Sequence, residues 1–151
     1  MKKIVLHINQ IDNRGTGQAV FDYAVMLRNA GHNSIIASPA NAIHSYYALN
    51  KFKEHKFEVV FYKNIHEIII LNPDLFYAIK SGKNDGILLP NVKNCIHSVF
   101  ENDPHGDVYA FISEWLADKY SSDCYVPHIV RELPKYSKNF CRDKLGIPQD
   151  S

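Results

Sequence analysis

Short apolar runs alternate along this chain with polar, glycine-bearing turns and with stretches of helical periodicity. The first run, over 3–8, holds Ile4-Val5-Leu6 and Ile8 around His7 and reads as a buried strand. A polar turn follows over 9–17, and then Ala19, Val20, Tyr23, Ala24, Leu27 and Ala30 recur at helical spacing. Gly31 stands where such a helix should stop, and 33–38, centred on Ile35-Ile36-Ala37, makes a second strand. Strand, glycine turn, helix, glycine, strand is the βαβ signature of a parallel sheet. The alternation continues with a helix over 46–55 and a strand over 57–62. The apolar run over 65–71 suits helix or strand; helix is preferred because Pro73 would stop it, leaving 74–79 as the next strand. Further strands are expected over 94–99 and 108–112, separated by a polar loop through Asp107. Ser113 is placed to cap a helix over 115–120, with Glu114 in its first turn, and 125–127 reads as a last short strand. The expected fold is a Rossmann-like three-layer α/β domain with a mostly parallel sheet, spanning 1–130.

After Val130 the pattern changes. Arg131, Glu132, Pro134, Lys135, Ser137 and Lys138 form a polar segment, and 139–145 reads as a short basic helix ending at Gly146, with Pro148 beyond. The stretch 131–151 is therefore expected to be a linker and short helix rather than part of the core.

Composition narrows the function classes. A chain of 151 residues with 46% hydrophobic residues fits one domain with a real core. The net charge is +1 and no Lys/Arg run reaches five, so non-specific nucleic-acid binding and polybasic membrane attachment are not expected. No stretch approaches the roughly 18 to 20 apolar residues of a membrane span. Met1-Lys2-Lys3 mimics the start of a signal peptide, but Ile4-Val5-Leu6 is too short for its apolar region. Cys95, Cys124 and Cys141 are odd in number and far apart, which suits reduced thiols in a cytoplasmic protein better than a disulfide framework or a zinc cluster.

The turn Asn13-Arg14-Gly15-Thr16-Gly17-Gln18 lies between the first strand and the first helix. Its glycines allow a tight turn or the close approach of a ligand, and the helix start behind them offers free N–H groups to an anion. The third glycine of the dinucleotide fingerprint is missing, and the second strand ends in Ala37-Ser38-Pro39 without an acidic residue, so an NAD site is not expected. A turn that merely needs positive φ and a ligand loop both remain open here.

Four segments together resemble the N-terminal domain of GT-B glycosyltransferases, closest to retaining enzymes that use nucleotide-sugars. They are Lys2-Lys3-Ile4-Val5-Leu6-His7-Ile8-Asn9 with the Gly15-Thr16-Gly17 loop; Leu27-Arg28-Asn29-Ala30-Gly31-His32-Asn33-Ser34; Val108-Tyr109-Ala110-Phe111-Ile112-Ser113-Glu114-Trp115-Leu116-Ala117; and Tyr125-Val126-Pro127-His128-Ile129-Val130 followed by Arg142-Asp143-Lys144-Leu145-Gly146-Ile147-Pro148. The chain departs from the family's pattern at His128-Ile129, where many members have Asn-Gly, and at Thr16, which separates two glycines that are often adjacent. The resemblance implies the N-terminal half of a GT-B architecture, with 131–151 leading to a missing C-terminal donor-binding domain that carries the paired glutamates. The implied partners are that domain, a nucleotide-sugar donor acting as co-substrate with no further cofactor, and a sugar or other hydroxylated acceptor. The implied location is the cytoplasm, compatible with peripheral contact at a membrane surface.

The resemblance also places His97 as the catalytic candidate, in the position of a histidine that lines the family's cleft; a histidine at a strand's C-terminal end faces the ligand edge of an open α/β sheet. Arg14, Gly15, Thr16 and Gly17 form the candidate donor-phosphate or acceptor loop, and guanidinium geometry suits phosphate. Lys80, Ser81, Asn84, Asp85 and His105 are candidate acceptor-binding residues. His105 with Glu101, Asp103 and Asp107 has the chemistry of a metal site, but it is read as a polar loop and no metal is expected. Trp115 is expected to pack, being next to Leu116 on a helix. The rival reading is a standalone flavodoxin-like module that uses the glycine turn for a phosphate-bearing ligand. A nucleotide-sugar epimerase is disfavoured by the missing third glycine and the absence of a Tyr-x-x-x-Lys pair.

Overall fold

The computed structural model describes residues 1–130 and 137–148. The expected polar segment over 131–136 and the residues 149–151 lie outside the described residues. Six strands form one sheet: β1 (Lys3–Ile8), β2 (Asn33–Pro39), β3 (Glu58–Tyr62), β4 (Leu75–Lys80), β5 (Lys93–Ser98) and β6 (Val108–Phe111). All five pairings are parallel, so the sheet is wholly rather than mostly parallel, in the order β3-β2-β1-β4-β5-β6. This is the doubly wound, Rossmann-like order, built by running outward from β1 and then returning to its other side.

Parallel strands are covered on both faces, which explains why β1 reads as an unbroken buried run. One face packs Ile4, Leu6, Ile8 and Ile36 against α1 (Gly15–Asn29) and α2 (Tyr46–Glu54), through Val20, Phe21, Ala24 and Phe52. The opposite face packs Val5, Ile35, Phe76, Ala78 and Ile96 against Ile68 and Leu89. Its cover is a 3-10 helix, Ile65–Leu71, and the irregular chain over 87–92. Asn64 and Glu67 close a capping box at the start of the 3-10 helix, and Asn72, just before Pro73, ends it in the left-handed region at φ 48°. The ambiguous run is thus helical, as the proline suggested. Asn94 holds the irregular cover down: its side chain accepts from the Leu89 amide at 2.8 Å and donates to the carbonyls of Leu89 and Val92 at 2.9 and 2.7 Å.

Beyond β6, Ser113 caps α3 (Glu114–Lys119) by accepting from the Leu116 amide, and Ser137 caps α4 (Lys138–Leu145), which Gly146 ends. The strand expected over 125–127 is a single parallel bridge between Phe111 and Tyr125. The Phe111 amide bonds the Cys124 carbonyl and the Val126 amide the Phe111 carbonyl; the β6 chain then enters α3 and the Val126 carbonyl is taken by His97, so the described residues pair no further there. Among the described residues no helix is long and apolar enough to cross a membrane.

Candidate functional site

β1 and β4 are neighbours whose following chains leave in opposite directions. After β1 the chain turns onto the α1 face, and after β4 it runs to the face that Leu89 covers. Such a switch point leaves a crevice at the carboxyl ends of the strands. A cleft of about 600 Å³ lies there, within the size range of small-molecule sites. Asn9, Gln10, Arg14, Gly15, Thr16, Ser81 and His128 supply its polar lining, and Ile8, Ile79, Val99, Phe100 and Ile112 its apolar lining, with Lys80 at the end of β4.

Five of the residues expected from sequence therefore meet at one place: Arg14, Gly15, Thr16, Lys80 and Ser81. Arg14 is the N-cap of α1 but makes no side-chain cap bond, so the first amides of the helix have no side-chain acceptor from it. Its guanidinium is paired with Asp12 and also donates to Gln10 Oε1 at 3.1 Å, holding the charge at the cleft rim. Neither Gly15 nor Gly17 has positive φ, so turn conformation does not explain them. A Cβ on Gly17 would collide with the Asp12 carbonyl, whereas one on Gly15 would meet open space. Gly17 thus serves the loop's own packing and lies off the cleft, while Gly15 faces it.

The loops after β4 and β5 are bonded into one wall. The Ser81 carbonyl accepts from the amides of Phe100 and Glu101 at 2.9 and 2.8 Å. Between them Gly82, at φ 110°, leaves no room for a side chain against Ser98, Glu101 and the Tyr109 hydroxyl. Lys80 is buried, its Nζ 2.6 Å from Asp85 Oδ1. Burial alone would raise the Asp85 carboxyl, but the Lys80 hydrogen bond, the Ile87 amide and the Lys80 charge bring it below its ordinary value. His7 sits on the same face, fully buried, with Nε2 2.7 Å from the Tyr62 hydroxyl. Burial, helped by the Lys80 charge and opposed by Asp85, lowers His7 to about 4.

The structure places Asn84, Asp85 and His105 away from the lining of this cleft. Asn84 turns back on its own chain, its Oδ1 accepting from the Gly86 amide at 3.1 Å, and Asp85 is committed to Lys80 and the Ile87 amide; neither lines the cleft. His105 bonds the Asp103 carbonyl through Nδ1 at 2.6 Å and packs on Tyr109, on a loop leading to Asp107, which bonds Asn94 near the opposite end of the sheet. Among the described residues no three His, Cys, Asp or Glu side chains group as metal ligands.

His97 also stands off the cleft wall. It is 1% exposed, its Nε2 lies 2.8 Å from the Val126 carbonyl and its Nδ1 2.9 Å from the Tyr77 hydroxyl. A carbonyl only accepts, so Nε2 carries the proton and Nδ1 accepts from Tyr77. Burial, with His128 adding to it and the Val126 carbonyl opposing, lowers His97 to about 4. The histidine on the wall is His128, whose ring lies 5.1 Å from that of His97. Sequence reading met His128 only as a departure from a family pattern. Its signal was its place, just after the chain rejoins the sheet edge at Tyr125.

Cys95 shares the His97 face, but burial raises its thiol, which argues against a nucleophile. Trp115 does not pack: it is 70% exposed while Leu116 beside it is buried, and the Lys119 Nζ lies 5.6 Å from its ring. It projects from the start of α3, at the same carboxyl edge of the sheet as the cleft. A comparison with protein-family models finds no match, and comparisons with curated proteins and with solved structures find none either.

Proposed function

We propose that this chain is the N-terminal, acceptor-side domain of a GT-B-type glycosyltransferase, which transfers a sugar from a nucleotide-sugar to a hydroxylated acceptor. The observation that carries the reading is the cleft at the ends of β1 and β4, which the glycine loop and Ser81 line together with both polar and apolar side chains. Asn9, Gln10, Ser81 and the amides at the start of α1 suit hydroxyls or a phosphate, and Val99, Phe100 and Ile112 suit the apolar face of an acceptor. The donor and the paired glutamates belong, on this reading, to a second domain that closes over the cleft.

Residues 1–151 alone are then folded, bind an acceptor and transfer nothing. Amide chemical shifts recorded against a panel of carbohydrates and their glycosides should move at Asn9, Thr16 and Ser81, with no turnover of nucleotide-sugars. Robust transfer by this chain alone overturns the two-domain reading. Shifts with inorganic phosphate but with no carbohydrate point instead to a phosphate-ligand module, which the uncapped start of α1 would serve.

A further inference from the structure

The chain that carries His128 to the cleft is held from behind by two side chains, Tyr23 and His97, with a third, Tyr77, bonded to His97. Tyr23 of α1 donates its hydroxyl to the Pro127 carbonyl at 3.1 Å. His97 of β5 donates Nε2–H to the Val126 carbonyl at 2.8 Å, and Tyr77 of β4 donates to His97 Nδ1 at 2.9 Å. The rings of Tyr23 and Tyr77 each stand edge-on to His97 at 5.9 Å. Two consecutive carbonyls, 126 and 127, are thus fixed just before residue 128, while the Val126 amide is fixed to Phe111 at 2.8 Å. All the hydrogen-bonding capacity of His97 is spent in this arrangement, because a neutral imidazole has one donor and one acceptor. His128 is the opposite case. It lines the cleft, and its Nδ1 is buried without a hydrogen-bond partner among the described residues.

We propose that His128 is the imidazole that meets the ligand in this cleft, and that His97, Tyr77 and Tyr23 form a brace that sets its position. His97 is then a positioning residue acting through the 126–127 backbone. Nε2 is the nitrogen left for a ligand, and in a neutral ring it donates or accepts according to the tautomer, either of which suits a hydroxyl. The part of the proposal concerning the ligand rests on the reading of the cleft as a binding site; the brace does not.

Acylation of histidines in the intact chain by diethyl pyrocarbonate, mapped by peptide mass spectrometry near neutral pH, tests both parts. His128 should react and His97 should not, with exposed His66 as the internal reference. In His97→Phe the rate at His128 should rise roughly tenfold toward that of His66, as loss of one buried hydrogen bond allows, and His97→Gln should restore it by supplying a donor and an acceptor. Tyr77→Phe, which keeps the ring, should shift the rate in the same direction and guards against a His97→Phe chain that fails to fold. The brace is overturned if His128 reacts alike in the native chain, His97→Phe and Tyr77→Phe, or if His97 is acylated as fast as His128. Methyl α-glucopyranoside and inorganic phosphate are then added as probes, with amide spectra in parallel. Slower acylation of His128, with His66 unchanged, supports ligand contact. Shifts at Gly15 and Thr16 without protection of His128 overturn the role of His128 and leave the cleft reading intact. Failure of both probes to shift any cleft amide counts against the cleft reading while the brace stands on the variant rates.

Discussion

At the scale of single residues, polar groups in this protein are assigned by partner rather than by type. Lys80 and Asp85 show the consequence. The ammonium is nearly inaccessible and depends on one carboxylate that is itself partly open to solvent. Removing that carboxylate leaves a buried charge without compensation, so Asp85→Ala should destabilise the fold by roughly 3 kcal/mol in urea unfolding. The double variant Lys80→Met, Asp85→Ala should recover most of that loss, since no charge is left to desolvate. Equal midpoints for the single and double variants would disprove the dependence. These residues also mark where sequence reading stops. Lys80 and Ser81 were legible because they follow a strand, and the carboxyl ends of parallel strands collect ligands. That His97 would spend both nitrogens on Tyr77 and Val126 depends on contacts between residues far apart in sequence, which no local pattern encodes.

At the scale of elements, the alternation of apolar runs and helical periods carried nearly all of the architecture. Caps and breakers named in advance do their work: Ser113 caps α3, Pro73 follows the end of the 3-10 helix, and Gly146 follows α4. At 125–127, β-favouring composition cannot reveal that the neighbouring chain enters α3 just past Phe111, which leaves a single bridge. The two glycines at the start of α1 looked equivalent in sequence and are not. Gly17→Ala forces its new methyl group against the Asp12 carbonyl and should cost roughly 1–3 kcal/mol. Gly15→Ala meets nothing and should stay within about 0.5 kcal/mol of the parent in thermal unfolding, with any change confined to ligand binding. If both variants melt alike, the close approach of Asp12 is not what requires Gly17.

At the scale of the whole molecule, the return of the chain from β3 to β4 sets the edge that bears the cleft, and it is the feature least visible in sequence. The order of elements along the chain does not say that β4 lies beside β1, yet that neighbourhood creates the cleft. The same packing sets the response to acid. His7 and His97 are each lowered to about 4 from an ordinary value of 6.5, so as pH falls the unfolded chain takes up protons before the folded one. Stability should therefore be flat above about pH 7 and decline between 6.5 and 4 by an amount on the order of a few kcal/mol. The depressed Asp85 carboxyl acts in the same sense at the lower end, its contribution being lost as pH falls through its folded value. Melting temperatures that match at pH 7.5 and 4.5 would contradict this. Finally, the sole tryptophan, Trp115, projects from the cleft-bearing edge and stays 70% exposed. Its emission in the native chain should already be red and readily quenched by iodide, so unfolding will scarcely change its colour and must be followed by circular dichroism instead. A blue shift with loss of quenching would report a molecule arriving on that edge, giving the protein a built-in optical sensor of whatever covers its cleft.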